Sequence, residues 1–128
     1  MRIFILNIFI LIFLNFNSPS FASHVELNQC VQIAHCVKEE LVFSDIAKSF
    51  DEIKEIIDNI PRSKIVQYDN DYLHAEVRTK WMRYVDDLEL SLVPETNKLI
   101  VRSESRVGES DLGVNQKRVN LLKSKLYQ

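Results

Sequence analysis

Apolar and polar residues alternate with a period of two in three segments of the chain, at positions 72–79, 83–93 and 98–107. Such alternation is typical of antiparallel strands that bury one face and leave the other face in water. A shorter β-type run at 63–69 precedes them, and the runs Asp69-Asn70-Asp71 and Pro94-Glu95-Thr96-Asn97 are turn-forming. The sequence therefore predicts a four-stranded antiparallel sheet.

The turns between these strands also predict their registers. If Val93 and Lys98 flank the last turn, and Lys80 and Arg83 flank the one before it, apolar residues lie opposite apolar residues in both hairpins. A slip of one residue would reverse the two faces, so we expect the register to be well specified. The expected apolar pairs are Leu92 with Leu99, Leu90 with Val101, Leu73 with Leu90, and Ala75 with Leu88. The expected polar rows are His74–Glu89–Arg102 and Glu76–Asp87–Glu104, with Arg78, Arg106 and Asp86 near their end.

Two segments with helical periodicity flank the sheet. The first runs from Ser44, the expected N-cap, to Asn59, and Pro61 ends it. The second follows Gly113, with Asn115 as its expected N-cap. The apolar stripes are Ile46, Phe50, Ile53, Ile57 and Ile60 in the first helix, and Val119, Leu122 and Leu126 in the second, where Lys117, Arg118, Lys123 and Lys125 are expected to face water. The predicted fold is an α+β domain of order α-β-β-β-β-α, with both helices covering the apolar face of the sheet.

The start of the chain has the pattern of a secretory signal peptide. One positive charge at Arg2 precedes the apolar run Ile3–Phe16, and Ser20-Phe21-Ala22 supplies small residues at a cleavage site. At about 1.5 Å per residue, 14 helical residues reach about 21 Å, less than the roughly 30 Å of a hydrocarbon core. We expect cleavage after Ala22, with an uncleaved anchor as the alternative. The predicted organisation is a signal peptide at 1–22, an N-terminal segment at 23–43 and the α+β domain at 44–128.

Export affects the interpretation of the only two cysteines, Cys30 and Cys36. Two closely spaced cysteines in an oxidising compartment favour a disulfide. A metal site that includes His24 or His35 is one alternative, although the spacing matches no common zinc pattern, and free thiols are another. We expect an exported protein of the periplasm or the extracellular space, or of the thylakoid lumen in a photosynthetic organism, with no membrane span left after cleavage.

Composition excludes several classes of protein. Apolar residues make up 46% of the chain and charged residues 27%, which is usual for a globular domain. Two glycines and three prolines exclude collagen-like and low-complexity chains, and the net charge of −2 without a basic stretch argues against nucleic acid as the partner. There is no Gly-x-Ser-x-Gly elbow, phosphate loop or His-Glu-x-x-His motif, and no cofactor is predicted.

Two places have residues suited to chemistry. On the polar face of the sheet, His74 with Glu76, Asp87 or Glu89 has the groups for acid–base catalysis, although a ladder of cross-strand ion pairs is the default explanation of such a face. A serine triad is not expected, because the alternation of side chains along the strand places Ser103 and Ser105 on the apolar face and His74 on the polar face. The second place is the loop at 106–115, which contains both glycines of the chain and leads into a helix. It is either the rim of a site or simply a tight connection.

At these residues the chain resembles a known family. The motifs are Asp71-Tyr72-Leu73-His74-Ala75-Glu76, Arg83-Tyr84-Val85-Asp86-Asp87, Val101-Arg102-Ser103-Glu104-Ser105-Arg106-Val107-Gly108 and Ser110-Asp111-Leu112-Gly113-Val114-Asn115, together with the stretch from Leu27 to Cys36. They resemble the family called domain of unknown function 1499, in order and over most of the mature chain. The chain departs from the family pattern at Ile33-Ala34-His35-Cys36 and at Glu104.

The resemblance implies no reaction or ligand, since the family has none established. It implies a set of characteristic residues: Tyr72, His74, Glu76, Asp86, Asp87, Arg102, Arg106, Asp111 and Asn115. Polar side chains that hold turns in place account for much of such a set. No metal site is predicted among these residues. The candidates for ligand binding are Tyr72, Asp86, Arg102, Arg106, Asp111 and Asn115.

Three functional hypotheses follow. The first is a binding or accessory module of the cell envelope, with an unidentified envelope partner or small ligand, and it predicts a flat charged face or a groove rimmed by the 106–115 loop. The second is an envelope enzyme that uses His74, and it predicts a concave pocket around His74. The third is a lipid or pigment carrier, which needs an apolar cavity between the helices and the sheet.

Overall fold

A computed structural model describes residues 24–128. The predicted signal peptide, 1–22, lies outside these residues. The strands are β1 (Cys36–Val42), β2 (Ser63–Tyr68), β3 (Tyr72–Arg78), β4 (Val85–Val93) and β5 (Lys98–Ser105), the helices are α1 (Phe50–Asp58) and α2 (Val114–Leu126), and short 3-10 turns lie at Phe43–Asp45 and Pro94–Thr96. All strand pairs are antiparallel, in the spatial order β1-β5-β4-β3-β2.

The sheet has five strands in the described residues, so the predicted four-stranded sheet is wrong. The additional strand, β1, pairs with β5 along its whole length. Its side chains do not alternate cleanly, because Glu39 lies between Val37 and Leu41 on the face that packs against α2. The Glu39 carboxylate accepts a hydrogen bond from Lys123 of α2 at 2.7 Å, which is how a charged residue is tolerated on that face.

The predicted registers of the three central strands are confirmed. All four apolar pairs are observed, and so are the two polar rows that join β3, β4 and β5. The apolar face packs against α1 and α2, as expected for a two-layer α+β domain. The core contains Ile46, Phe50, Ile53, Ile57, Leu73, Ala75, Leu88, Leu90, Leu99, Val101, Val119, Leu122 and Leu126.

Helix α1 begins later than predicted. Its N-cap is Ser49, whose side chain accepts a hydrogen bond from the Glu52 backbone while the Glu52 carboxylate accepts one from the Ser49 backbone. This reciprocal capping box satisfies two backbone donors that a helix end otherwise leaves unpaired. Ser44 lies instead in a 3-10 turn, and the intervening Ala47 has a φ of 53°, which an α-helix does not permit. Ser44 as N-cap was therefore wrong.

Helix α2 begins after Gly113, whose φ of 79° suits glycine. The carboxylate of Asp111 accepts hydrogen bonds from the backbone N–H groups of Gly113 at 2.8 Å and Asn115 at 3.0 Å. Asp111 therefore satisfies the free donors at the start of the helix. Asn115 is not the N-cap, because Gly113 occupies that position and Asn115 is the second residue of the helix, with its side chain fully buried. Arg118, which was expected to face water, is also buried.

Residues 24–35 form the N-terminal strap, whose first residues lie against the polar face of the sheet. Lys38 donates a hydrogen bond to the Leu27 carbonyl at 2.9 Å, and Ser91 donates one to the Val25 carbonyl at 2.5 Å. The Leu27 side chain is buried. The predicted disulfide between Cys30 and Cys36 is present and joins the strap to the first residue of β1. None of the helices in residues 24–128 has the length and apolarity needed to cross a bilayer.

Candidate functional site

The polar face of the sheet has a first group of paired side chains around Glu89. Tyr72 donates a hydrogen bond from its hydroxyl to Glu89 Oε1 at 2.9 Å, and Arg102 Nη1 donates to Glu89 Oε2 at 2.9 Å. The other terminal nitrogen of Arg102 contacts the Glu104 carboxylate. Tyr72 and Arg102 are buried. Burial and the bond to Glu89 raise the pKa of the Tyr72 hydroxyl well above its usual value, so Tyr72 is a stable donor.

A second group surrounds Asp87. His74 Nε2 lies 2.7 Å from Asp87 Oδ1. Arg106 donates to both carboxylate oxygens of Asp87 at 2.8 Å, and also to Glu76 Oε1 at 2.9 Å. Such a two-pronged contact is the strongest geometry that an arginine can offer a carboxylate. Two acids of the expected row, Glu76 and Asp87, are therefore bound by an arginine from just beyond β5, and the third, Glu104, contacts Arg102.

The directions of the pKa shifts at Asp87 and Arg106 indicate the charge state of each group. Burial raises the pKa of this carboxyl, but the hydrogen bonds from Arg106 and His74 outweigh burial and leave the pKa below its usual range. The same contacts raise the pKa of the Arg106 guanidinium, through Asp87 first and Glu76 second. At neutral pH the site therefore holds a carboxylate and a guanidinium bound to each other. A general acid would need the opposite shift at Asp87.

Asp86 does not lie with these residues on the polar face, as had been expected. It shares the parity of Leu88 and points between the sheet and α2, where it is fully buried. Arg118 Nη2 donates to Asp86 Oδ2 at 2.7 Å, and Arg118 Nη1 donates to the Ser103 hydroxyl at 3.0 Å. Buried charges require such a partner. We call Asp86, Ser103, Ser105, Asn115 and Arg118 the buried polar cluster.

Asn115 is the centre of the buried polar cluster. Its amide oxygen accepts hydrogen bonds from Ser103 and Arg118, both at 2.7 Å. Its amide nitrogen donates to Asp111 at 2.7 Å, to Ser105 at 2.9 Å and to the His35 carbonyl at 3.1 Å. These contacts join α2, β5, the 106–113 loop and the N-terminal strap. Ser103 and Ser105 face the helices, as parity predicted.

One atom of this cluster lacks a partner. Asp86 Oδ1 is buried and accepts no hydrogen bond within the described part of the chain. A buried carboxylate oxygen without a donor is destabilising, because it has lost its water without gaining a replacement. Asp86 also belongs to the lining of a groove.

The groove has a volume of about 570 Å³ and lies between the 106–113 loop, the β3–β4 turn, the α1–β2 connection and the start of α2. Its walls are mostly apolar. The residues that form them include Ile60, Val77, Trp81, Met82, Tyr84, Val107, Leu112, Val114 and Leu121. A volume of this size is within the range of small-molecule sites. The loop at 106–113 therefore forms part of a concave surface.

Only two of the candidate site residues line this groove, namely Asp86 and Asp111. The polar-face residues His74, Glu76, Asp87 and Glu89 do not line it, nor do Tyr72, Arg102, Arg106 and Asn115. The structure thus separates the candidates into a paired set on the polar face and a set associated with the groove. Among the described residues, no three His, Cys, Asp or Glu side chains are placed to hold a metal ion.

Sequence reasoning missed the apolar wall of the groove. Trp81 and Met82 lie in the β3–β4 turn, and Leu112 lies in the loop before α2, where polar residues are usual. All three side chains are exposed. The sequence does contain one indication of this wall: large apolar residues in turns, which neither strand or helix periodicity nor burial in the core explains.

Basic residues surround the groove. Arg62, Arg78, Lys80 and Lys117 line it, and within residues 24–128 none of these four forms an ion pair. The two acidic residues in the lining are already engaged, Asp86 by Arg118 and Asp111 by the start of α2. The groove therefore presents positive charge on a chain whose net charge is −2.

Comparisons with known proteins give one match. A family model described as "Protein of unknown function (DUF1499)" matches residues 17–126. No curated protein and no solved structure matches the chain.

Proposed function

The chain belongs to the DUF1499 family of proteins of unknown function, and we propose that it is a binding module of the cell envelope. Its ligand site is the groove beside the 106–113 loop. The ligand is an amphiphile with an apolar body and an anionic group. This proposal assigns no reaction to the protein, and the ligand is held only by noncovalent contacts.

The observation that carries the proposal is the groove itself. Covering its apolar walls with a ligand removes apolar side chains from water, which contributes a favourable free energy of about 25 cal/mol for each Å² of apolar surface covered. The four basic residues around it favour an anionic group at the mouth. Such a ligand would cover the apolar walls and pair with the basic residues.

The alternative is an envelope enzyme that uses His74 with Glu76, Asp87 or Glu89 in acid–base chemistry. The contact of 2.7 Å between His74 and Asp87 favours it. However, Arg106 binds both oxygens of Asp87, and Tyr72 and Arg102 bind those of Glu89. A substrate would have to displace these partners, so the pairing supports a structural role for the polar face.

Two observations support export as part of the proposal. The cysteines are joined in a disulfide, a bond that persists in oxidising compartments. The sequence before the strap has the charge, apolar core and small residues of a secretory signal. Cleavage after Ala22, or retention of this segment as an anchor, is tested by the mass of the protein recovered from the envelope.

The experiment uses the only tryptophan of the chain, Trp81, which lines the groove. The protein is recovered from cells that express the full chain, and dodecanoate is added as an anionic amphiphile, with dodecanol as its uncharged counterpart. We expect dodecanoate to shift the Trp81 emission to shorter wavelength, with dodecanol binding more weakly. Native mass spectrometry of the untreated protein identifies any ligand already bound.

Val114→Phe provides a variant that narrows the groove without changing its charge, because Val114 lines the groove and is only partly buried. We expect at least a tenfold loss of dodecanoate affinity. His74→Gln is the matched control on the polar face and should bind normally. If neither amphiphile changes the emission, or if His74→Gln abolishes binding and Val114→Phe does not, the groove is not the site.

A further inference from the structure

Two loops at the same end of the molecule expose large apolar side chains. Trp81 in the β3–β4 turn is 83% exposed, and Leu112 in the loop before α2 is 86% exposed. Met82 is also exposed next to Trp81. All three residues line the same groove, so the two loop tips lie side by side. Clustered apolar side chains of this size on a surface mark an interaction site.

The same end of the molecule is rich in flexible basic side chains. Lys80 and Arg83 flank the Trp81–Met82 pair in sequence, and both are exposed. Lys80 Nζ lies 5.0 Å from the centre of the Trp81 ring. Arg62, Arg78 and Lys117, which form no ion pair within residues 24–128, lie around the same groove. Positive charge thus surrounds the apolar tips on a chain with an excess of acidic residues.

We propose that these two loop tips dock the protein onto the surface of an anionic lipid bilayer. Trp81, Met82 and Leu112 enter the interfacial region, and the surrounding lysines and arginines face the head groups. This inference goes beyond ligand binding in the groove and does not depend on it. The two proposals share Trp81, Met82 and Leu112, which also form part of the groove wall, but they predict different partners for these residues.

Charge complementarity selects this partner over others. A free phosphate or other small anion would use the basic residues but leave the three apolar tips in water. A bilayer satisfies both, because tryptophan is favoured at the interface between hydrocarbon and head groups. Lysine and arginine can extend their charged ends to lipid phosphates while their stems follow the apolar surface. Anionic lipids strengthen docking by about 1 kcal/mol, or about fivefold in affinity, for each basic residue near the surface.

The test is sedimentation with lipid vesicles of two compositions. The protein recovered from cells that express the full chain is mixed with pure phosphatidylcholine vesicles or with vesicles that also contain phosphatidylglycerol. We expect binding only to the anionic vesicles, together with a shift of the Trp81 emission to shorter wavelength. Binding should weaken steeply near 1 M salt, where charges are screened beyond about 3 Å.

Three variants and two controls locate the contact. Replacing the tips together, as Trp81→Ser with Met82→Ser and Leu112→Asn, should lower affinity at least tenfold, and asparagine suits the positive φ of 53° at Leu112. Lys80→Gln and Arg83→Gln should each lower it about fivefold. Val31→Asn and Ile33→Asn remove exposed apolar side chains outside the groove and should have no effect. The combined tip variant also reveals any binding through a retained apolar N-terminus, since such binding would persist in it.

Equal binding to both kinds of vesicle, no binding to either, or unchanged binding by the combined tip variant would overturn the proposal. Val114→Phe distinguishes it from the groove site, because that variant should lose dodecanoate and keep vesicle binding. Failure of the dodecanoate titration alone rejects the groove ligand, and failure of vesicle binding alone rejects the docking surface.

Discussion

Arg118 and Asp86 form an ion pair between α2 and β4, with Nη2 of Arg118 2.7 Å from Oδ2 of Asp86. The side chains are only 7% and 1% exposed, respectively. Breaking such a pair leaves one charge buried without compensation, which destabilises a protein by about 3–5 kcal/mol. We therefore expect Arg118→Met to lower the free energy of unfolding by that amount, measured by urea denaturation.

Two further variants make this prediction specific. Adding Asp86→Leu to Arg118→Met should recover part of the stability, because the remaining carboxylate is then also removed. Lys117→Met, at an exposed position of the same helix, should change stability by no more than about 0.5 kcal/mol. A loss below about 1 kcal/mol for Arg118→Met would show that water reaches the pair.

Asn115→Ala should be among the most destabilising substitutions on α2. It removes the acceptor of Ser103 and Arg118 and the donor to Ser105 and the His35 carbonyl. Since each buried polar group left without a partner costs about 1–3 kcal/mol, we expect a total loss above about 3 kcal/mol. Thermal and urea denaturation measure it, with the exposed Asn120→Ala as the control. Equal stability of the two variants would contradict a central role for Asn115.

Stability should fall on acidification through Asp87 and Asp111. Burial raises the pKa of Asp111, but hydrogen bonds from the Asn115 backbone, the Asn115 side chain and the Gly113 backbone outweigh burial and lower it. The pKa of Asp87 is lowered as well. A carboxyl whose folded pKa lies below the unfolded value of about 3.9 stabilises the protein above that pH. This stabilisation is lost as the pH falls through the folded pKa.

The measurement is the urea midpoint as a function of pH between about 2 and 7. We expect Asp87→Asn and Asp111→Asn each to give a less steep decline below about pH 4, from a lower plateau. Comparing the two variants distinguishes the contribution of the polar face, where Asp87 lies, from that of the start of α2, where Asp111 lies. A slope identical to that of the unmodified protein in both variants would disprove the assignment.

Alkaline titration should reveal two tyrosines that ionise late. The hydrogen bond to Asp51 raises the pKa of Tyr68 to about 12. Burial and the bond to Glu89 raise that of Tyr72 further. Because unfolded tyrosine ionises near pH 10, these groups stabilise the protein below that pH, and the stabilisation is lost as the pH rises through the folded values. Tyr68→Phe and Tyr72→Phe should each remove one late step from the ultraviolet absorbance titration, and loss of a step near pH 10 instead would exclude the corresponding bond.

The disulfide should stabilise the domain modestly. It closes a short loop between Cys30 and Cys36, so replacing both cysteines by serine should lower stability by roughly 2–3 kcal/mol. We also expect faster amide hydrogen exchange in the N-terminal strap, whose Leu27 is held against the sheet close to this bond. Ile33→Ser, exposed within the closed loop, is the control. Unchanged exchange in the double variant would show that the strap is held by its other contacts.

Strong periodicity explains which parts of the fold were predictable. In β3, β4 and β5, aliphatic residues at every second position fix the face and the register together. Strand β1 was missed because Glu39 interrupts its apolar face, and only the distant Lys123 compensates for that charge. An ion pair between residues so far apart in the sequence leaves no pattern in the neighbouring residues from which it could be predicted.

The candidate site was predictable only where strand parity applies. Parity placed His74 and Asp87 correctly on one face, and it also held the information that Asp86 points to the opposite face with Leu88. The burial of Arg118 was not predictable, because its partner is on another element. The groove depends on three connections that meet only after folding, and loops such as 106–113 have no periodicity from which their meeting could be read.

The order of strands in the sheet has a consequence for biosynthesis. Among the strands of residues 24–128, β1 is the first to emerge from the ribosome, yet within that part of the chain it pairs only with β5, the last of them. The hairpins between neighbouring strands can therefore form early in synthesis, but β1 can pair with β5 only when nearly all of the polypeptide has been made. Long-range pairing of this kind slows folding relative to hairpin formation.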